Sequence, residues 1–176
     1  MTVPASSYGY AEPECRTAAA LLARAASAGL AAGLSVAVYQ YLLVLVLHDM
    51  PVPARLVAAM LLGQDALQRW YSPLTIAVVG LGIHALLSLS FGIAFGALLI
   101  RRAEWRASAR RLIAAGAFYG AALWWVNFYL IAPLFDWLWF PLRTTPLLQG
   151  LIGHAVFFGA VLGGIMAYRC RPPGRA

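Results

Sequence analysis

Four long apolar segments dominate the pattern of hydrophobic and polar positions along the chain. We predict membrane spans at Ala25–Leu47, Leu74–Ile100, Leu112–Ala132 and Leu147–Tyr168. None of these segments contains Asp, Glu or Arg. Each is long enough to cross about 30 Å of hydrocarbon as a helix that rises about 1.5 Å per residue. The pattern therefore predicts an all-α integral membrane protein, a four-helix up-and-down bundle.

The two connections on the predicted outer side have different patterns. Ala54–Gln68 is amphipathic and too short to span, so we expect a short helix at the membrane interface. Pro133–Pro146 is rich in aromatic residues, including Phe135 and Trp137. Tryptophan concentrates at headgroup level, which favours an anchoring belt. Docking of a partner membrane protein is the alternative, and both interpretations stay open.

A near-duplication relates the two halves of the chain. The run Gly80–Ala85 (GLGIHA) recurs as Gly150–Ala155 (GLIGHA), each early in an apolar segment. The apolar segment before each run has two glycines and an amide residue at the same intervals. These are Gly29, Gly33 and Gln40 in the first half, and Gly116, Gly120 and Asn127 in the second. The pattern predicts one two-span unit used twice, with the halves related by an axis along the membrane normal.

On the helix face that carries its small residues, each predicted span has one hydrogen-bonding side chain in its outer half. Together these four form a predicted polar layer: Gln40, His84, Asn127 and His154. A polar group that faces lipid without a partner costs several kcal/mol, so we expect all four to face the bundle interior. Polar residues inside a membrane are functional candidates by default. These four are the candidate site.

Three interpretations of this layer stay open. The four side chains can hydrogen-bond to one another and fix the helix register. Alternatively, His84 and His154 can hold a haem b as its two axial ligands. The third interpretation is a quinone, a lipid or another small ligand. A single divalent metal fits less well, because no carboxylate or thiolate completes its shell.

Small residues at helical spacing predict where the spans pack closely. The candidates are Gly29, Gly33, Gly80, Gly92, Gly116, Gly120, Gly150, Gly159 and Gly163. Gly159 and Gly163 lie on nearly the opposite helix face from His154. That face predicts either a contact with another subunit, including a second copy, or packing on the first or third span.

Charge and cysteine content suggest an orientation. The chain is 62% hydrophobic and 11% charged with a net charge of +7, and all thirteen cations are arginines. They cluster around the ends of the chain and the middle connection, so the positive-inside rule places a flexible N-terminus (1–24) and a tail (169–176) in the cytoplasm. This bias and contact with anionic lipid explain the charge better than nucleic acid does. We expect no structural disulfide between Cys15 and Cys170 in that reducing compartment.

Motifs of enzyme active sites are missing from the sequence. It has no glycine-rich phosphate loop and no His-Glu metal motif. Ser88 and Ser90 lie near His84 without an acid to complete a triad. We therefore expect no enzymatic activity.

Part of the pattern resembles a known protein family. Its elements are a paired-glycine first span, a histidine in the second span, and Leu151-Ile152-Gly153-His154 leading into Gly159-Ala160-Val161-Leu162-Gly163. In these the chain is similar to small bacterial four-span inner-membrane proteins of unknown function. The resemblance implies location in a bacterial inner membrane, and it carries over no function.

Three functional hypotheses follow. The first is a non-catalytic accessory or scaffold subunit of a larger membrane complex, docked through the aromatic connection or the face of Gly159 and Gly163. The second is a membrane protein that binds a b-type haem or pigment through His84 and His154. The third is a small oligomeric transporter or channel.

Overall fold

The computed structural model describes residues 15, 17–47, 52–68, 70–137 and 147–170. These residues form five helices and no strand: α1 (Ala18–Leu47), α2 (Pro53–Leu62), α3 (Pro73–Arg101), α4 (Ala109–Leu134) and α5 (Leu148–Arg169). All except α2 are long and apolar enough to cross a membrane. The predictions of an all-α fold and a four-span bundle are therefore confirmed, and the protein contacts the lipid bilayer.

Helix boundaries follow local chemistry. The Ser72 side chain accepts a hydrogen bond from the Thr75 amide at the start of α3, and Ser108 does the same for Arg111 at the start of α4. Such caps satisfy amides that have no partner within the helix. α2 ends at Gly63, whose φ of +75° suits glycine. The predicted Ala54–Gln68 helix is therefore divided into α2 and a short 3-10 turn, Gln64–Leu67.

The four spans are arranged in the order α3, α1, α5, α4. α1 packs against α3 and α5, and α5 packs against α4, whereas the α3 and α4 backbones make little close contact. The side chain of Tyr119 on α4 crosses this gap. Its hydroxyl donates a hydrogen bond to the Phe91 carbonyl at 2.8 Å, and its ring lies 5.2 Å from that of Phe95. The bundle is thus wider between α3 and α4 than elsewhere.

Glycines form the contact between α1 and α3. A Cβ on Gly29 would collide with the backbone of Gly92, and a Cβ on Gly92 would collide with the Ala25 carbonyl. Gly33 faces the Ser88 side chain. Small residues allow this close approach, on which helix packing in lipid depends.

The contact between α4 and α5 is built in the same way. A Cβ on Gly116 would collide with Gly159, and a Cβ on Gly163 would collide with the Leu112 carbonyl. The face of Gly159 and Gly163 therefore packs on the third span within the chain. This finding corrects the alternative that this face is free to bind another subunit.

Two predicted packing glycines contact other partners. Gly80 receives the Ala54 backbone of α2, and Gly150 lies against the Trp124 indole. α2 buries Ala58 and Ala59 completely or almost so, and Ile76 of α3 belongs to the same cluster. The interfacial helix is therefore packed onto the bundle by its small residues and does not simply rest on lipid.

A disulfide joins Cys15 to Cys170 at the arginine-rich end of the bundle, where α1 begins and α5 ends. Beside it, the Arg169 guanidinium donates to the Arg24 carbonyl at 3.1 Å and to the Ser27 hydroxyl at 2.7 Å. The prediction that these cysteines stay unpaired is wrong, because packing of α1 on α5 brings their Cα atoms to 5.5 Å. Disulfides persist mainly in oxidising compartments, so this bond favours chain ends outside the cytoplasm. The arginine bias favours chain ends inside the cytoplasm. The orientation of the termini stays a prediction.

Candidate functional site

A cavity of about 190 Å³ lies between the four spans. Its polar wall contains all four residues of the predicted layer together with Ser88: Gln40, His84, Ser88, Asn127 and His154. The rest of the wall is apolar, and four of its ten residues are aromatic. The bundle thus brings the four sequence-predicted site residues to one shared cavity.

The two ends of the cavity have different covers. Towards the arginine-rich end, Phe91 lines the cavity and is hydrogen-bonded through its carbonyl to Tyr119. At the opposite end, Met60 of α2 and Trp137 line it. Trp137 also packs against the cluster formed by α2 and the start of α3, and its ring stacks on Phe135 at 5.1 Å. α2 and Trp137 therefore act as a cover over the site.

His84 is held by a neighbouring helix. Its Nε2 lies 2.9 Å from the Gly33 carbonyl oxygen of α1. A carbonyl only accepts hydrogen bonds, so Nε2 carries the hydrogen and donates. In the neutral ring Nδ1 is then the acceptor. Ser88 bonds the His84 carbonyl at 2.7 Å, so its hydroxyl proton is already used.

His154 is held by its own helix. Its Nδ1 donates to the Gly150 carbonyl at 2.9 Å, one turn earlier in α5. Its ring meets Phe128 edge to face, with centroids 5.3 Å apart. Nε2 has no hydrogen-bond partner among the described residues. A hydrogen bond to one ring nitrogen fixes the tautomer and leaves the other nitrogen for a ligand.

The two amide side chains are also without partners. Neither Gln40 nor Asn127 forms a side-chain hydrogen bond within the part of the chain that the structure describes, although both line the cavity. In that same part, no hydrogen bond joins any two of the four layer residues. The interpretation in which they satisfy one another is therefore not realised, and their free polar atoms line an open space.

Both helices of the α4–α5 pair are π-helical beside the cavity. The π segments are Asn127–Ile131 in α4 and Gly153–Ala160 in α5. A π segment accommodates one extra residue in the helix and is frequent at functional sites. Gly92 and Gly163 make matching contacts in the two pairs. Gly92 follows His84 by eight residues, whereas Gly163 follows His154 by nine. The π segment thus changes the direction of His154 relative to the glycine contact below it.

Sequence reasoning did not assign Met60, Trp137 and Tyr119 to this site. The aromatic pattern of Pro133–Pro146 predicts an anchoring belt or a docking surface, and the amphipathic pattern of α2 predicts an interface with lipid. No sequence signal indicates that α2 and Trp137 fold over the polar layer. The later aromatic residues of this connection, Trp139 and Phe140, lie outside the described residues.

The donor set limits the chemistry of the site. Within the described ranges, no group of three or more His, Cys, Asp or Glu side chains could hold a metal ion. A haem bound by both histidines normally uses Nε2 of each ring, but His84 has its Nε2 committed to Gly33. The cavity is also smaller than the roughly 300–1,000 Å³ of ordinary ligand pockets. A small organic molecule fits these features better than a haem.

Comparisons with known proteins add no assignment. The resemblance to small bacterial four-span proteins and the inner-membrane location therefore stay predictions. No family model, curated protein or solved structure matches the chain.

Proposed function

We propose that the protein is a non-catalytic membrane protein that binds one small, largely apolar molecule between its four spans. One observation carries the proposal: in a cavity with mostly apolar walls, the Gln40 and Asn127 side chains and the Nε2 atom of His154 have no hydrogen-bond partner in the described chain. Unpaired polar groups are costly in an apolar environment, and a ligand with one polar end would satisfy them.

The chemistry of the walls supports an amphipathic ligand. Most ligand sites combine apolar and aromatic walls with a few polar groups that fix orientation. Here the aromatic residues Phe91, Phe128 and Phe158 supply the walls, while the layer residues supply the polar face. Since no acidic residue of the described ranges lies in the wall, a cationic ligand has no counter-ion there. We therefore favour an uncharged molecule.

The packing of the spans supports access from the membrane. α3 and α4 make little backbone contact, and both contribute side chains to the cavity. Tyr119 bridges the two helices towards the arginine-rich end, whereas beyond this bridge both helices line the cavity. A molecule dissolved in the bilayer would enter there.

The hypotheses of an accessory subunit, a haem protein and a transporter stay predictions. The accessory hypothesis retains one of its two surfaces, the aromatic connection, because Gly159 and Gly163 are used within the chain. An accessory subunit that carries a small ligand for a larger complex is compatible with the proposed function. The absorption spectrum of the purified protein tests the haem hypothesis, which requires a Soret band lost in His84→Ala and His154→Ala.

The test is to analyse the molecules that the protein retains. Wild type, Leu87→Trp and Leu86→Trp are purified in mild detergent, and their organic extracts are compared by mass spectrometry. Leu87 lines the cavity, so an indole there fills it. The neighbouring Leu86 is 62% exposed on the lipid-facing surface and serves as the matched control.

We expect a discrete molecule, near one per protein chain, in the wild type and in Leu86→Trp. Leu87→Trp should lose it because its space is occupied. Identical extracts from all three proteins, containing only bulk lipids, would contradict the proposal.

A further inference from the structure

We infer that the polar end of the ligand is a hydrogen-bond donor, and that the ligand belongs to the class of phenols and related ring alcohols. The inference rests on the proposed function and adds the chemistry of the bound group. It excludes groups that only accept hydrogen bonds, such as quinone, ketone and ether oxygens, from the position beside the free nitrogen of His154. Which ring nitrogens carry hydrogen decides this.

The two imidazoles face no anionic group among the described residues. No acidic side chain of the described ranges lines the cavity, and the acceptors that hold the rings are neutral backbone carbonyls. A charge in an apolar interior is costly unless it is paired. Each ring therefore has one N–H donor and one lone pair that accepts.

Backbone carbonyls decide which nitrogen is the acceptor. In His154 the Nδ1–H is committed to the Gly150 carbonyl at 2.9 Å, so Nε2 holds the lone pair. In His84 the Nε2–H is committed to the Gly33 carbonyl at 2.9 Å, so Nδ1 holds it. Neither ring has a spare hydrogen to give. A carbonyl or ether oxygen placed at the free nitrogen of His154 would face another lone pair, whereas a hydroxyl would donate to it.

The remaining polar groups complement a hydroxyl. The side-chain amides of Gln40 and Asn127 can each donate as well as accept. A hydroxyl that donates to His154 can therefore accept from an amide at the same time. The Ser88 hydroxyl already donates to the His84 carbonyl and retains only acceptor capacity.

The aromatic wall points to a ring beside that hydroxyl. Phe91, Phe128 and Phe158 line the cavity together with Trp137. Aromatic side chains pack well against another ring in offset or edge-to-face geometry. Phe128 already meets the His154 ring edge to face, so a phenol bound at Nε2 would lie among these rings.

The test compares a phenol with its methyl ether, which lacks the hydrogen-bond donor. Binding of tritiated 4-pentylphenol to the protein in lipid nanodiscs is measured, with 4-pentylanisole as the competitor in which a methyl group replaces the hydroxyl hydrogen. We expect the phenol to bind about tenfold more tightly, as one added hydrogen bond implies. His154→Leu should remove this preference, while the lipid-facing control Leu86→Trp should keep it.

Equal affinity of the two probes for the wild type, or tighter binding of the anisole, overturns the inference and leaves the proposed function standing. Failure of both probes to bind also overturns it. If the extracts of wild type and Leu87→Trp are identical as well, the proposed function fails with it. The wild-type comparison does not depend on any variant, so misfolding of His154→Leu cannot rescue the inference.

Discussion

The pairs α1–α3 and α4–α5 have nearly the same contact at the arginine-rich end and different structures beside the cavity. Gly92 approaches the Ala25 carbonyl in one pair, and Gly163 approaches the Leu112 carbonyl in the other. Above these contacts α3 stays α-helical, whereas α5 becomes π-helical from Gly153 to Ala160. The two histidines consequently bond different partners, a neighbouring helix for His84 and its own helix for His154.

The difference shows how one packing scheme can give two roles. A ring that bonds across to another helix holds the two helices together. A ring held by its own helix contributes little to that contact, and its outer nitrogen remains free. We therefore interpret α1–α3 as the structural half of the site and α4–α5 as its binding half.

Reduction of the disulfide should have the largest effect, because Cys15–Cys170 ties the two pairs together. A bond that closes so long a loop typically contributes about 2–4 kcal/mol to stability. Unfolding in detergent with and without reductant should show a loss of that size in wild type. The double variant Cys15→Ser/Cys170→Ser should be less stable and insensitive to reductant. A wild type that responds no more than this variant would show that the pairs hold together without the bond.

Alanine at the glycine contacts should have the next largest effect, and the same effect in both pairs. Gly92→Ala and Gly163→Ala place a Cβ against backbone atoms, which cannot yield as a side chain can. We expect each to lower the free energy of unfolding by about 1–3 kcal/mol.

Two glycines serve as matched controls for these substitutions. A Cβ on Gly82 meets nothing within 4 Å, and one on Gly164 is at 4.0 Å from Ile113 Cγ1. Alanine at either position should be neutral or stabilising by up to about 1 kcal/mol, since alanine favours helix over glycine. If only one of Gly92→Ala and Gly163→Ala lowered the stability, the two glycine contacts would not be equivalent.

Removal of the imidazoles should have the smallest effect on stability and should separate the pairs. His84→Leu deletes a hydrogen bond between helices, for which we expect a loss of about 1 kcal/mol. His154→Leu deletes only a bond within α5, whose Gly150 carbonyl belongs to the same helix, and should cost less. Thermal unfolding of both variants in detergent checks the order. A larger loss of stability from His154→Leu than from His84→Leu would show that α4–α5, and not α1–α3, is the structural half of the site.

Sequence reasoning predicted the spans and the convergence of the layer residues, because apolar length and the cost of lipid-exposed polar groups are local properties. α1 nevertheless begins at Ala18, before the predicted start at Ala25, since the packed core extends to the buried Leu21. The π segments left no recognisable pattern, because one extra residue in a helix hardly changes its apolar composition. The prediction that Cys15 and Cys170 form no structural disulfide is wrong, because a rule based on the redox compartment takes no account of how close two helix ends lie.

Nitrogen-15 NMR of the two imidazoles in lipid is decisive, because it reports which ring nitrogen carries hydrogen. The division into a structural and a binding half predicts opposite tautomers, with hydrogen on Nε2 of His84 and on Nδ1 of His154. His84→Leu and His154→Leu assign the two signals. The same tautomer in both rings, or a doubly protonated His154, would contradict it.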